Sequence, residues 1–535
     1  MNKQKEKLAI TLFKPKVHTL QECLSDYEIE KRATIKPQFE LEGEVLIGAP
    51  PPIPLVPEWL NFLQEGVNEK LPDLENKSSR AAIIVKVKER FVGVSFGYGQ
   101  VLFDKTKIER NFGLKTVINS VDPDNLRSFN STKLDDNTII TRKQASRGSK
   151  RSAFGSDLPS ELLCGVSGKC LESVLGAQIS GTDQLLISPR VDFTNLKEVL
   201  ETALAQYFKK DYQKNFAWFD NIQIENDTEK CEQLCADLTK ELQSGKFEQL
   251  SMACPDIYDP EKIGGFSFTL KGDLHSDLYF EEFMAYLKES KGASLISVDD
   301  LKSHKIWVKD TQEEEVGKWS AFDCLIYETE LDNVRYVLFK GEWYHIDKEY
   351  LDVLHRYFDT KTQKGPETCS ITLEDHCDGD KESLYNAKIG SQDDCLCLDQ
   401  KLIRLKGLDP IESCDILTSK GEFLHIKKKY DSAALSHLFA QGKVAGELLI
   451  SSEGFRKELR KKIRQVGRGK INDSLIPLGK VKSGDFKIVF GVIDKKDDDN
   501  LNLPFFSLVN FHSTGRYLET LGFEVIITKI KCKAA

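Results

Sequence analysis

The sequence lacks any apolar run near the roughly 18 residues that a membrane-spanning helix needs. Its N-terminus, MNKQKEKLAITLFKPK, carries charges but no apolar signal-peptide core. We therefore expect no membrane association, and we expect the protein to reside in the cytoplasm.

The chain also lacks the paired cysteine motifs of a structural zinc site. Its 13 Cys are odd in number, and without a signal peptide we expect reduced thiols rather than a disulfide framework. Cys231 and Cys235 are four residues apart, and Cys395 and Cys397 are two apart, but neither has a second pair at zinc-finger spacing. No nucleophile-elbow motif is present, so a Ser/His/Asp or Cys/His hydrolase stays open without a motif to support it.

Basic residues are fewer than acidic ones, 75 against 84, and the net charge of −9 argues against a protein coated in nucleic acid. Two segments are nevertheless strongly basic, RKQASRGSKR at 142–151 and FRKELRKKIRQVGRGK at 455–470. The first predicts an exposed loop and the second a solvated helix face, and both could also contact phosphate. The residues predicted to do so are Arg142, Lys143, Arg147, Lys150, Arg151, Arg456, Lys457, Arg460, Lys461 and Arg464.

The length and the mixture of periodicities predict a multidomain protein of the α+β or α/β class. We expect an α+β domain at 1–165, a mixed α/β domain at 166–298, a small strand-rich segment at 299–368 and a final domain at 369–535. The final domain is predicted to hold a mixed sheet flanked by helices.

The C-terminal region predicts the element order α-β-β-β-α-β-α-β around an additional basic helix. The predicted elements are a helix at 382–388, a strand or hairpin at 395–405, strands at 412–417 and 422–429, a helix at 433–446, a strand at 486–494, a helix at 513–521 and a strand at 523–530.

Candidate catalytic residues gather in this region. Asp415 lies near the second strand, and His425 and Lys427 lie on the third. Side chains two residues apart on a strand share a face, so His425 and Lys427 can converge on the space that Asp415 reaches. Gln441, on the following helix, could orient the lysine or touch a phosphate, and His437 lies on the same helix face.

This layout resembles the restriction-endonuclease-like (PD-(D/E)XK) nuclease core. The resemblance implies phosphodiester cleavage with Mg²⁺ or Mn²⁺, held by Asp415, Glu382 and His425, while Lys427 stabilises the developing negative charge. The departure is His425, because an Asp or Glu usually stands there. An imidazole suits manganese or zinc better than magnesium, or could act as a general base. Glu412 is a less suitable substitute ligand.

Three segments resemble a sporadically distributed bacterial family of unknown function and similar length. They are FGYG at 96–99, SCDILTSKGEFLHIKKKYDSAALSHLFAQG at 413–442, and LPFFSLVNF with LETLGFEV at 503–511 and 518–525. Patchy distribution resembles that of mobile defence genes. This association implies little about activity, so the nuclease assignment depends on the C-terminal residues above. With that assignment we expect cleavage of phage or foreign nucleic acid, with DNA favoured over RNA, and a phage-derived trigger or partner protein.

Two competing functions stay open at this point. The first is a nucleic-acid-binding or phage-sensing protein with a catalytically inactive nuclease-like fold, which the histidine at the acidic position favours. The second is a hydrolase or nucleotide-modifying toxin whose site lies in the N-terminal two-thirds. It predicts that toxicity survives Asp415→Ala and Lys427→Ala.

Overall fold

The chain folds into two compact units, the first formed by residues 1–132 with 140–219 and the second by 133–139 with 220–535. The protein is therefore multidomain and mixes helices with several sheets, as predicted. The predicted boundary at 165/166 lies inside the first unit, and the predicted segment 166–298 includes residues of both units. The four-segment division therefore does not follow these units and stays a prediction. The computed structural model describes residues 4–49, 79–133, 139–154, 161–245, 250–255, 263–292, 296–310, 315–362, 368–377, 380–405, 410–429, 432–467, 469–495 and 500–533.

The first unit is built mainly of antiparallel strands. Its strands are β1 (Gln4–Lys5), β2 (Leu8–Leu12), β3 (Ile29–Thr34), β4 (Glu42–Gly48), β5 (Arg80–Val87), β6 (Arg90–Gly97), β7 (Val121–Lys133), β8 (Ile139–Ser149), β9 (Leu162–Cys170), β10 (Gln178–Gly181), β11 (Leu185–Ile187) and β12 (Arg190–Val191). Ten of them form one sheet in the order β3-β4-β5-β6-β2-β11-β10-β9-β7-β8, and β1 pairs with β12.

Helices α1 (Phe112–Ser120) and α2 (Leu196–Phe208) contribute to the core of this unit, and the short α3 (Gln213–Phe216) follows them. Their apolar residues repeat at helical spacing, so each helix presents one stripe to the strands. The basic segment 142–151 was predicted to be an exposed loop, but most of it lies in a strand. Strand β8 runs through Ser149 and occupies an edge of the sheet, so Arg142 and Arg147 lie on a strand.

The second unit begins with two antiparallel sheets. Its first strands are β13 (Ile222–Ile224), β14 (Leu250–Met252), β15 (Gly265–Ser267), β16 (Lys305–Lys309), β17 (Glu315–Ser320), β18 (Leu325–Leu331), β19 (Val334–Phe339) and β20 (Glu342–Ile346). They pair in the orders β13-β20-β19-β18-β14 and β15-β16-β17. The helices of this part are α4 (Thr228–Ser244), α5 (Phe280–Lys291), α6 (Val298–Ser303), α7 (Ala321–Cys324) and α8 (Lys348–Lys361).

A six-stranded mixed sheet fills the C-terminal part. Its elements are β21 (His376–Cys377), α9 (Glu382–Ile389), β22 (Cys395–Cys397), β23 (Ile416–Thr418), β24 (Glu422–Lys428), α10 (Ser432–Ser451), α11 (Glu453–Gly467), β25 (Lys487–Asp494), α12 (Phe505–Thr520) and β26 (Glu524–Lys533). The strand order is β21-β26-β25-β24-β23-β22. Strands β22, β23 and β24 pair antiparallel, whereas β24, β25 and β26 pair parallel.

The elements follow the predicted order, but several bounds were wrong, and helix α10 ends at Ser451 rather than at 446. Strand β22 is shorter than predicted and β23 begins at Ile416 rather than at 412. Just beyond the ladder, the amides of Leu398 and Asp399 both donate to the carbonyl of Asp415, which interrupts the regular pairing.

Helix α12 begins at Phe505, eight residues before the predicted start. There the carboxylate of Glu328 on β18 accepts hydrogen bonds from the amides of Phe505 and Phe506. A negative charge at a helix N-terminus satisfies amides that have no partner within the helix.

Both faces of the C-terminal sheet are buried, which explains the apolar run of β25. One face packs against Tyr385 and Ile389 of α9. On the opposite face, Phe490 of β25 meets Phe439 of α10 at 5.2 Å between ring centroids, and Phe511 of α12 at 6.1 Å. These two cores fix the sheet between its helices and position the hairpin that carries the candidate site. Among the described helices, none is long and apolar enough to cross a membrane.

Candidate metal centre

The hairpin of β23 and β24 places Asp415 beside the third strand. Gly421 closes its turn with a φ of +80°, a conformation that favours glycine. Ile416 pairs with Leu424, and the amide of Asp415 donates to the carbonyl of Leu424 at 2.9 Å. Asp415 therefore lies just before β23, where its side chain can reach the neighbouring strand.

Asp415 is buried, and two groups hold its carboxylate. Oδ2 accepts the amide hydrogen of Ile426 at 2.7 Å, and Oδ1 accepts from Nδ2 of Asn386 at 3.3 Å. Burial raises the pKa of the Asp415 carboxyl well above its usual range, the Ile426 amide opposes the rise, and nearby carboxylates increase it further. A cation in contact with Asp415 would offset this cost, because it favours the ionised form.

Two further carboxylates converge on Asp415. One oxygen each from Asp399, Glu412 and Asp415 lies within 4.8 Å of the other two. The backbone explains the approach of Asp399, since the amides of Leu398 and Asp399 donate to the carbonyl of Asp415 at 2.7 and 3.1 Å. Three carboxylates this close repel one another unless a proton or a cation lies among them, so the group could hold a metal ion.

Glu412 is held by residues on both sides of the site. Its Oε2 accepts from Nε2 of Gln441 on α10 at 3.1 Å, and its Oε1 accepts from the amide of Gln400. Burial raises the pKa of Glu412, and the nearby charge of Lys427 opposes that rise. Gln441 thus contacts a carboxylate, whereas the sequence predicted contact with the lysine or a phosphate.

Lys427 and Glu382 form an ion pair next to the three carboxylates. Nζ of Lys427 lies 3.1 Å from Oε1 of Glu382, and Oε2 of Glu382 accepts the amide hydrogen of Lys428 at 3.0 Å. Both side chains are partly exposed. Glu382 therefore positions the ammonium group of Lys427 at the edge of the site, and its predicted role as a metal ligand stays a prediction.

His425 occupies the buried face next to the aromatic core. It is only 1% exposed, it pairs with Phe490 across the β24–β25 ladder, and the two ring centroids lie 6.0 Å apart. Its Nε2 has no hydrogen-bond partner among the described residues. Burial lowers the pKa of His425 to about 3. The three-carboxylate group does not include this ring, so its predicted metal and general-base roles gain no support.

One family model matches almost the whole chain, from residue 8 to residue 531, and its description is a family of unknown function, DUF6119. The chain belongs to DUF6119. No curated protein and no solved structure matched the sequence. This membership agrees with the predicted resemblance to an uncharacterised family of similar length.

The buried histidine of this DUF6119 protein makes stability depend on pH. The folded pKa is about 3 against an ordinary value of 6.5, so between these values the unfolded chain binds a proton that the folded chain excludes. The contribution of His425 to the free energy of unfolding is therefore complete above pH 6.5 and declines as the pH falls below that value. We expect the free energy of unfolding of wild type, relative to His425→Leu, to drop by about 1.4 kcal/mol per pH unit below that value.

Urea unfolding of both proteins at about pH 7.5 and about pH 5.5 measures this difference. His437→Leu, which removes an exposed histidine from α10, controls for the loss of an imidazole. A difference between wild type and His425→Leu that stays constant over this interval would contradict the burial of a neutral ring.

The basic side chains of helix α11 in the DUF6119 protein form two groups. Some donate hydrogen bonds to backbone carbonyls inside the protein, and the others are exposed. Arg456 is buried, and its guanidinium donates to the carbonyls of Leu449, Ile450 and Leu478. Arg460 likewise donates from Nε to the carbonyl of Ile476. Arg456 was predicted to contact nucleic acid, but its position inside the protein makes that contact inaccessible.

The other predicted phosphate-contacting residues are at least partly accessible. On α11 they form surface ion pairs, Lys457 with Glu453, Lys461 with Glu458 and Arg464 with Asp473. In the first unit, Lys143 donates to the carbonyl of Phe154 and Arg151 to that of Asn215, and both are exposed together with Arg142, Arg147 and Lys150. These exposed residues stay predicted phosphate contacts.

Two residues of the site, Asp399 and Asn386, were not predicted from the sequence. Asp399 lies two residues after the end of β22, and the register that pairs Cys397 with Ile416 brings the end of β22 beside the start of β23. A search for carboxylates flanking adjacent strand ends would have found it. Asn386 lies four residues after Glu382 on α9, so helical spacing gave a signal for a second polar group on the same face.

Proposed function

We propose that this DUF6119 protein is a metal-dependent phosphodiesterase that cleaves nucleic acid. The observation that carries the proposal is the convergence of Asp399, Glu412 and Asp415 within 4.8 Å, next to the partly exposed ammonium group of Lys427. Carboxylate oxygens are the ligands that Mg²⁺ and Mn²⁺ prefer. A neighbouring cationic side chain suits a reaction in which negative charge develops on a phosphate.

Each residue then has a defined task in hydrolysis. The three carboxylates would hold a divalent ion, which lowers the pKa of a bound water and polarises the phosphate. Lys427 would stabilise the additional charge on the phosphate oxygens, and Glu382 would orient Lys427. The water oxygen bonds to phosphorus as the bond to one sugar oxygen breaks. That oxygen takes up the proton released by water, which leaves a phosphomonoester and a hydroxyl group.

The arrangement of the C-terminal sheet supports the same class of enzyme. Helix α9 precedes three antiparallel strands, β22 to β24, and α10 leads to the parallel strand β25. The restriction-endonuclease-like core proposed from the sequence has this order of elements. Because fold does not determine activity, the proposal depends on the side chains of the site rather than on the sheet.

The exposed basic residues bear on the biological substrate. The exposed cations of β8 and α11 would bind the phosphate backbone. We propose DNA ahead of RNA, with phage or foreign DNA as the target of a bacterial defence reaction. A phage-derived trigger or partner protein belongs to the same proposal.

The buried His425 favours a second candidate function. A ring that faces an aromatic core offers no replacement for a hard carboxylate ligand. If the carboxylates Asp399 and Glu412 do not make up for it, the C-terminal sheet would serve a nucleic-acid-binding or phage-sensing protein without catalysis.

Cleavage assays on the purified full chain separate the two candidates. Plasmid, single-stranded DNA and RNA are each incubated with Mg²⁺, Mn²⁺ or EDTA. We expect cleavage with a divalent ion and none with EDTA, and we expect Lys427→Met to slow cleavage by about 10²-fold or more. Lys420→Met, on the turn between β23 and β24, is the matched control.

The result that would overturn the enzyme proposal is also clear. If wild type cleaves none of the three substrates with either ion but binds one of them in a salt-dependent way, the inactive binding protein becomes the better description. Cleavage that Lys427→Met leaves unchanged would place the chemistry elsewhere in the chain, as the competing N-terminal site predicts.

A further inference from the structure

Asn386 is a buried amide with one unused polar atom at the edge of the carboxylate group. The residue is fully buried, and its Nδ2 donates to Oδ1 of Asp415 at 3.3 Å, a long hydrogen bond. Its Oδ1 is buried as well and has no hydrogen-bond partner among the described residues. An unsatisfied buried carbonyl oxygen costs free energy, so this atom calls for a ligand that the protein itself does not provide.

The position of Asn386 is fixed by the fold. Tyr385 and Ile389 anchor α9 in the core beneath the sheet. Asn386 stands one helical turn after Glu382, which holds Lys427 at 3.1 Å. The same face of α9 therefore reaches both Lys427 and Asp415, the two residues on which the proposed chemistry depends.

The distance between Asn386 and Asp415 suits two oxygens on one cation. Two neighbouring ligands at about 2.1 Å from an octahedral Mg²⁺ are separated by about 3 Å. A half-turn of the Asn386 amide about its Cβ–Cγ bond exchanges Nδ2 and Oδ1, which places an oxygen near the present position of Nδ2, 3.3 Å from Oδ1 of Asp415. This rotation gives up one long hydrogen bond and breaks no hydrogen bond to Oδ1 from the described residues.

We infer that Asn386 provides an amide oxygen to the cation held by Asp399, Glu412 and Asp415. The inference rests on the metal site of the proposed function and adds a fourth, neutral oxygen to it. A neutral ligand completes the coordination sphere without further repulsion among the carboxylates. Asn386 donates to Asp415 when no cation is bound and turns its oxygen inward when the cation binds.

Mn²⁺ binding to three full-length proteins tests this assignment, with free Mn²⁺ followed by its electron paramagnetic resonance signal. Asn386→Asp keeps an oxygen ligand and removes the donor, whereas Asn386→Leu removes both. We expect Asn386→Leu to weaken Mn²⁺ affinity by about 10-fold to 100-fold. We expect Asn386→Asp to bind Mn²⁺ at least as tightly as wild type.

The opposite pattern would overturn the inference. If the amide serves only to donate a hydrogen bond to Asp415, Asn386→Asp places a like charge against that carboxylate, gives no gain and weakens Mn²⁺ binding. Wild-type affinity in Asn386→Leu would also exclude a ligand role. If Asn386→Leu does not fold, the comparison of Asn386→Asp with wild type still distinguishes a ligand from a donor.

Measurements of Mn²⁺ binding and of cleavage distinguish failure of this inference from failure of the proposed catalysis. Mn²⁺ binding that depends on the Asn386 oxygen, in a protein that cleaves no nucleic acid, would retain the inference and reject the proposed catalysis. If wild type binds no Mn²⁺ at all, the metal site and the role of Asn386 are both rejected.

Discussion

Asp415→Asn is expected to reduce metal-dependent cleavage on the order of 10³-fold while the protein stays folded. In wild type, the amide of Ile426 donates a hydrogen bond to Oδ2 of Asp415 at 2.7 Å. The substitution keeps an oxygen that can accept this hydrogen bond. It removes the negative charge that a cation would meet between Asp399 and Glu412. The large effect therefore comes from lost affinity for the ion and lost activation of water, rather than from unfolding.

The measurement is the initial rate of cleavage over a range of Mg²⁺ and Mn²⁺ concentrations, with thermal unfolding of each protein recorded in parallel. Asp393→Asn is the matched control, because Asp393 is an exposed carboxylate on the turn before β22. We expect wild-type rates from this control. Full activity in Asp415→Asn at limiting metal would reject the site, whatever the remaining residues do.

Arg456→Met is expected to lower the free energy of unfolding by about 3 kcal/mol. The wild-type guanidinium donates to the carbonyls of Leu449, Ile450 and Leu478, at 2.9, 3.0 and 3.1 Å. Methionine fills much of the same volume but leaves these acceptors without the donor. Arg456 joins the end of α10 to the segment after α11, so its loss weakens the support of the helix that carries Gln441.

Urea denaturation of the full chain measures this loss, with Lys457→Met as the control on the same helix. Lys457 is exposed and forms an ion pair with Glu453 at 2.8 Å, and exposed pairs of this kind contribute about 0–1 kcal/mol. Unchanged stability in Arg456→Met, together with weaker binding to nucleic acid, would return Arg456 to the role predicted from the sequence.

The spacing of apolar residues predicted many of the helices and strands, because these elements depend on contacts between residues close in sequence. The runs of apolar and β-branched residues predicted strands at 422–429 and 486–494, and β24 and β25 occupy these positions. The helix predicted at 433–446 is α10, which continues to Ser451. Boundaries were less accurate where a distant residue decides them, as Glu328 does at the start of α12.

The residues of the candidate site also differ in whether the sequence could predict their positions. Asp415 and Lys427 belong to one hairpin, so their proximity followed from the spacing in sequence. Asp399 reaches the site through the register of β22 against β23, and the 4–8-residue patterns of the individual strands do not encode that register. The position of the Asn386 side chain depends on how closely α9 packs against the sheet, which is decided by the whole core.

The sequence by itself determined the order of elements in the C-terminal region, the hairpin that carries Asp415 and Lys427, and the resemblance to an uncharacterised family. The tertiary structure alone decided which charges face one another. It brought Asp399 and Glu412 to Asp415, placed His425 against Phe490 and buried Arg456 beneath the surface of its helix. The physical reason is that burial and electrostatic environment depend on packing between distant segments, whereas strands, turns and helices follow from the chain's local periodicity.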